Sequence, residues 1–353
     1  MRKEVSLLLF TSCIASAAVP RPSRAQAVAP VEIDEWPVPY RMDDDGNLYD
    51  EFPTTDGERT RPRDPYVHPD GRVFFCGQAG NYIAYLDPAT GEFKRYELEE
   101  GTHPHNLIID RDGMVWYAGN RNRHIGRLDP KTGEITKFMM PDPAVRDPHT
   151  LVWDRDGNIW FTAQQSDYVG KLTVATGDIR LIPVPTPRAR PYGIVMDTNG
   201  ARPWIALFGT NKLATVDPAA MEIAEFELPR AATRPRRLQI TSDGMLWYVD
   251  YAGGMLGRFD PGSGRVAEWA APGGSESRPY AMVLDDRDRL WFFEGPRGTP
   301  VRLVGYDPAT GEFFSITELA SGPGTVRHAY FHAPTREIWF GTDANTIGRA
   351  RVP

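Results

Sequence analysis

The chain has 353 residues, of which 25% are charged, with a formal net charge of −7, 33 glycines, 32 prolines and two cysteines. No basic stripe is present to neutralise phosphates, so nucleic acid is excluded as a partner class. Two cysteines, one of them near the N-terminus at Cys13, leave no room for a disulfide scaffold or a cysteine-built metal centre. Cys76 follows Phe74 and Phe75 in an apolar run and reads as an inert buried thiol.

Residues 1–27 read as a leader. Arg2 and Lys3 open it, an apolar run follows from Val5 to Ala18, and Ala25-Gln26-Ala27 is a small-residue cleavage site. The apolar run is too short for a permanent membrane span. The expectation is a periplasmic or secreted protein, free of the membrane after cleavage, with one domain over residues 28–353.

Residues 31–39 (VEIDEWPVP) resemble the outer strand of a sheet but stand alone at the start of the domain. An acidic insertion follows, with Asp43, Asp44, Asp45, Asp50 and Glu51. It has the charge density of a calcium loop without the spacing of an EF-hand, so a solvated loop is the plain reading and a cation loop the alternative.

From residue 62 onward one pattern recurs seven times. Its anchors are Phe74-Phe75, Trp116-Tyr117, Trp160-Phe161, Trp204-Ile205, Trp247-Tyr248, Trp291-Phe292 and Trp339-Phe340, spaced 42 to 48 residues apart in the numbering. A period in the low forties is that of a β-propeller, whose four-stranded blades bury their faces only by stacking on one another. The second copy shows the plan. An apolar strand begins at Asn106, Asp112-Gly113 supplies a hairpin turn, and Trp116 lies in the second strand. Ile125-Gly126-Arg127 forms the third strand, Asp129-Pro130-Lys131-Thr132-Gly133 turns the chain, and an alternating outer strand starts at Ile135. The seventh copy ends at Arg351-Val352-Pro353 without an outer strand. The expected fold is therefore an all-β, seven-bladed propeller of four-stranded antiparallel blades, closed by the N-terminal strand, which removes the exposed edges.

The loop before each innermost strand carries x-Pro-[Tyr/His]. The copies are Asp64-Pro65-Tyr66, His103-Pro104-His105, Asp147-Pro148-His149, Arg190-Pro191-Tyr192, Arg234-Pro235-Arg236 and Arg278-Pro279-Tyr280, with Val326-Arg327-His328 as the seventh. Innermost strands line the channel, so Tyr66, His105, His149, Tyr192, Arg236, Tyr280 and His328 are expected to form a ring at one mouth. Histidines with near-neutral pKa in a concave mouth suit proton transfer. The alternative is that these side chains pack the loops. Arg234, Arg236 and Arg237 make a basic spot suited to a carboxylate or phosphate on a ligand.

These repeats, with Asp156-Gly157-Asn158-Ile159-Trp160-Phe161-Thr162 and the Ile-Gly-Arg-x-Asp-Pro-x-Thr-Gly-Glu strand pair, resemble the virginiamycin B lyase (streptogramin lyase) family over residues 31–353. That resemblance implies elimination at the ester of a cyclic depsipeptide antibiotic, with magnesium. It implies His149 as general base or acid, His105 one blade earlier as its partner, and Asp147 as the orienting or magnesium-binding carboxylate. Tyr66, Tyr192, Arg236, Tyr280 and His328 would contact a small-molecule substrate. Two positions depart from the family: Asp147 stands where the family has Glu, and Ala163 where it has a second acid. The rival reading is a non-catalytic propeller presenting the same mouth to a ligand or protein partner. A third is a propeller lactonase, for which Asp250 and Glu294 are the obvious acids.

Overall fold

Each repeat folds into one four-stranded antiparallel sheet in the computed structural model, which describes residues 29–42, 48–50 and 61–353. The expected leader lies outside these residues, as do residues 43–47 and 51–60 of the acidic insertion. The rest of the insertion is a short hairpin of Tyr40–Met42 with Leu48–Asp50.

The third blade is representative. Its strands are Pro148–Trp153, Ile159–Ala163, Tyr168–Thr173 and Asp178–Pro183, from the axis outward. Its innermost strand runs from His149 to Trp153, where the chain turns back through Gly157. That turn therefore lies at the far end of the channel from His149. The seven innermost strands touch in sequence, and Val326–His332 of the last packs on Pro62–Val67 of the first.

Local chemistry explains the repeated letters. The second aromatic of the anchor lies directly across the ladder from the glycine of Ile-Gly-Arg: Tyr117 faces Gly126, Phe161 faces Gly170, Tyr248 faces Gly257 and Phe340 faces Gly348. A Cβ on these glycines would meet the ring at 2.1 to 2.2 Å, so only glycine leaves space for the aromatic. The tryptophan beside it has its own partner. The indole N–H of Trp116 donates to Asp110 at 2.8 Å, and that of Trp291 to Asp285 at 3.0 Å, six residues upstream in each case. The same Asp110 accepts the backbone N–H groups of Asp112 and Met114. One aspartate thus ties the hairpin turn to the core, satisfying donors that burial would otherwise orphan. Every anchor residue is buried, and apolar clusters fill the seven interfaces between blades; one joins Trp116 and Ala118 to Leu151 and Phe161 of the next blade.

The expected closure is present. Glu32–Pro37 pairs antiparallel with Thr346–Arg351, completing the seventh blade. Trp36 stacks on Trp339 with centroids 5.7 Å apart, and Arg349 Nη2 reaches Asp34 at 2.6 Å. Cys76 is fully buried and free, with its thiol pKa pushed well up by burial.

The x-Pro-[Tyr/His] segments differ from the expected loops. Pro104 and His105 already belong to the strand Pro104–Ile109, with a bulge between Pro104 and Leu107, and the third, fourth and fifth blades repeat it. The extra residue re-aims side chains towards the axis.

Candidate active site on the propeller axis

The ladder register defines which residues are equivalent. Pro104 pairs with Gly119, Pro148 with Ala163, Pro191 with Leu207, Pro235 with Asp250 and Val326 with Thr342. In the first blade it is Pro62 that pairs so, with Gly77, not Pro65. The axial ring is therefore Arg63, His105, His149, Tyr192, Arg236, Tyr280 and Arg327. Tyr66 lies three residues further along its strand, stacked on Tyr330 with centroids 3.9 Å apart. His328 lies one residue beyond the ring, level with Asp64. The sequence Arg61-Pro62-Arg63-Asp64-Pro65-Tyr66 contains the motif twice, and pairing selects the first copy.

The structure brings His105 and His149 together on the axis, with ring centroids 3.6 Å apart. Tyr192 covers His149 at 4.1 Å and shares a short hydrogen bond between hydroxyls with Tyr280, two blades away. The Arg236 guanidinium lies over the faces of Tyr280, Phe208, Tyr251 and Tyr192, at 3.7 to 4.9 Å from their centroids. Arg237 crosses the channel, donating from Nη1 to Thr150 Oγ1 at 2.9 Å and from Nε to the Arg327 carbonyl at 3.1 Å. His149 Nδ1 shares a hydrogen bond with that Thr150 hydroxyl at 2.8 Å, while its Nε2 has no partner. These side chains fill the mouth: His149 is only 1% exposed and Tyr192 3%.

Asp64 is a member that sequence reasoning missed. It is 1% exposed, with Oδ2 3.8 Å from His105 Nδ1 and Oδ1 3.7 Å from His328 Nδ1. The signal lies in the sequence, since Asp64 precedes Pro65 as Asp147 precedes Pro148. Arg63 was likewise not expected in the axial cluster; its Nη1 lies 3.3 Å from His105 Nε2.

Burial sets the protonation of this cluster. His105, His149 and His328 are held well below the ordinary histidine range, first by loss of water and then by neighbouring positive charge, Arg237 and Arg63 for His149. All three imidazoles are neutral near pH 7. Burial pushes the Asp64 carboxyl up to about 6 against the opposing pull of Arg237 and Arg63. Tyr192 goes the other way: burial raises its pKa, but Arg236, Arg237 and the Tyr280 hydrogen bond prevail and lower it.

Asp147 stands apart from the imidazoles. Its φ of +62° is left-handed, which aspartate tolerates, and its carboxylate accepts the Gln165 N–H and the Ser166 hydroxyl, the latter at 2.9 Å. Those bonds fix the loop between the second and third strands of its own blade. Burial pushes its pKa up to about 6. Ala163 is fully buried opposite Pro148, so no carboxylate stands at that position. Among the described residues no three His, Cys, Asp or Glu side chains group as metal ligands. The acids of the lactonase reading are also engaged: Asp250 with Arg230 at 2.6 Å, and Glu294 with Arg302. The basic spot is dispersed. Arg234 Nη1 donates to the carbonyls of Ala231 and Thr233, while Arg236 and Arg237 turn to the axis.

Residues 49–350 match the virginiamycin B lyase family as a whole. Among solved structures, the chain is similar to virginiamycin B lyase from Staphylococcus aureus, at 23% identity with a TM-score of 0.76, covering 91% of this chain and 99% of that one. A streptogramin B lyase aligns at 22% identity and a TM-score of 0.77, covering 93% and 100%. A catalytically inactive histidine-to-alanine variant of the S. aureus enzyme with quinupristin aligns at 23% and 0.73, covering 91% and 100%. The extracellular domain of a one component system from B. thetaiotaomicron aligns at 14% and 0.62, covering 83% of this chain and 41% of that one. No curated protein matches the chain significantly. Among the described residues no helix is long and apolar enough to cross a membrane.

Proposed function

Because this chain belongs to the virginiamycin B lyase family, we propose that it is an exported carbon–oxygen lyase opening a small ester-containing molecule by elimination. The observation that carries the reading is the contact between His105 and His149, two neutral imidazoles on the axis. A neutral imidazole takes the proton α to a carbonyl, the C–H electron pair becomes the new double bond, and the β-carbon–oxygen bond breaks to release a carboxylate. His149 Nε2, the ring nitrogen without a partner, is the atom for that step. His105 lies against the same ring and Tyr192 covers it from the other side; the proton taken by His149 passes to solvent once the product leaves. Substrate reaches the pair by displacing the Tyr192 and Arg236 side chains that cover it.

Quinupristin, present with the similar S. aureus variant, is the first probe, followed by other cyclic esters. Elimination leaves the opened product at the mass of the substrate, whereas hydrolysis adds one water. His149→Ala is expected to lower turnover by roughly 10²-fold or more, the scale of a lost general base. Full activity in that variant overturns the assignment. The burial of His149 favours a second reading, a ligand-binding propeller whose axial side chains are a structural plug. Binding of cyclic esters without turnover, unchanged in His149→Ala, selects that reading.

A further inference from the structure

We propose that the far half of the axial channel, beyond the His105–His149 pair, is a binding site for a small organic carboxylate with an apolar body. A cavity of about 450 Å³ occupies this half, in the range of small-molecule sites. Its inner end is formed by Thr150, Arg237 and His328, and its walls include Val195, Val283 and Tyr330. Its inner end lies one residue past the ring and these walls two or more, so the cavity extends from the far side of the His105–His149 pair.

Charge argues for an anion at the inner end. Four guanidinium groups, Arg63, Arg236, Arg237 and Arg327, meet around the axis, and the carboxylates set against them are Asp64 and Asp343, the latter committed to Arg327 at 2.7 Å. Buried positive charge in excess of its partners costs several kcal/mol in a dry interior and is tolerated where an anion completes it. Arg237 is 4% exposed, and its Nη2 has no partner although Nη1 and Nε do. Guanidinium presents paired donors that match a carboxylate. The valines and the Tyr66–Tyr330 stack offer the rest of the ligand no charge, which selects an apolar body over a polyanion. This inference does not depend on the elimination reading, and its test has no turnover in it.

The full chain is titrated with butyrate, hydrocinnamate and indoleacetate and with the neutral amide of each, at constant ionic strength, by calorimetry and thermal unfolding. At least one acid is expected to bind saturably and raise the melting temperature while its amide does not. Arg237→Met is expected to weaken that binding by roughly tenfold or more, as loss of a buried charge partner does. Val195→Phe, which fills the cavity and leaves every arginine in place, is expected to do the same. If Arg237→Met fails to fold, the Val195→Phe result decides. The proposal is overturned if no acid binds better than its amide, if chloride or inorganic phosphate alone gives the whole stabilisation, or if Val195→Phe binds like the unsubstituted chain.

Discussion

Gly170→Ala is the most direct test of how the repeat letters hold a blade together. The added Cβ would sit 2.2 Å from Phe161 Cζ, whereas unstrained carbon atoms approach to about 3.5 to 4.0 Å. The ring must therefore retreat by more than 1 Å, a gap that follows from those two distances. Phe161 has no exposed surface and is packed among Trp116, Leu151 and Ile159, so it has nowhere to go. Overpacking of this kind costs about 1 to 3 kcal/mol, and the upper end applies where the ring is enclosed. Loss of glycine freedom in the unfolded chain returns about 0.4 to 1 kcal/mol. The net expectation is a destabilisation of about 2 kcal/mol, or a melting temperature lowered by roughly 3 °C. Gly157→Ala serves as a control with a different cause: nothing lies within 4 Å of its Cβ, but its φ is +78°, and strain alone costs about 1 kcal/mol. Urea unfolding of Gly170→Ala, Phe161→Leu and the double variant isolates the contact. Leucine removes the far end of the ring, so the double variant should be more stable than additivity predicts by about 1 kcal/mol. Additive losses, or a Gly170→Ala chain within about 0.5 kcal/mol of the parent, would refute the steric account.

Deleting residues 29–37 removes the strand that closes the seventh blade, with the Trp36–Trp339 stack and the Asp34 ion pairs; the melting temperature of the whole domain should fall, and an unchanged value would show that the ring does not depend on this latch. In any substrate assay the acid limb of kcat/KM should lie below the usual histidine value near 6.5, because burial holds His105 and His149 neutral to lower pH; an acid limb at or above that value contradicts a buried base. Asp147 has its pKa raised to about 6 from 3.8, so the folded chain binds more protons than the unfolded one between those values, and this group's contribution to stability falls as pH rises through that window. Asp147→Asn should flatten that part of the stability profile, measured by urea unfolding from about pH 4 to 7; an unchanged slope would mean that Asp147 is not responsible.

Much of the architecture was written locally. The seven aromatic anchors, the glycine opposite the second aromatic in four of the blades, the aspartate that holds the indole and the outer strand at residues 32–37 each depend on contacts within a blade or on one missing pairing partner. Periodicity and turn chemistry report such contacts directly, and the closing strand could be matched because sheet edges must be covered. The axial cluster is of another kind. Its members come from blades far apart in sequence, as Tyr192 with Tyr280 and Arg237 with Thr150 show, and which side chains meet there depends on ring closure. The choice of Pro62 over Pro65 was made by the ladder with Gly77, which moved Arg63 and Asp64 onto the axis and Tyr66 off it. The left-handed backbone at Asp147 sent its carboxylate to Ser166, away from the residue two places on. Burial of His149 was also a property of the closed ring: a motif specifies which atoms a side chain carries, whereas its solvent, charge neighbours and protonation come from everything the fold packs around it.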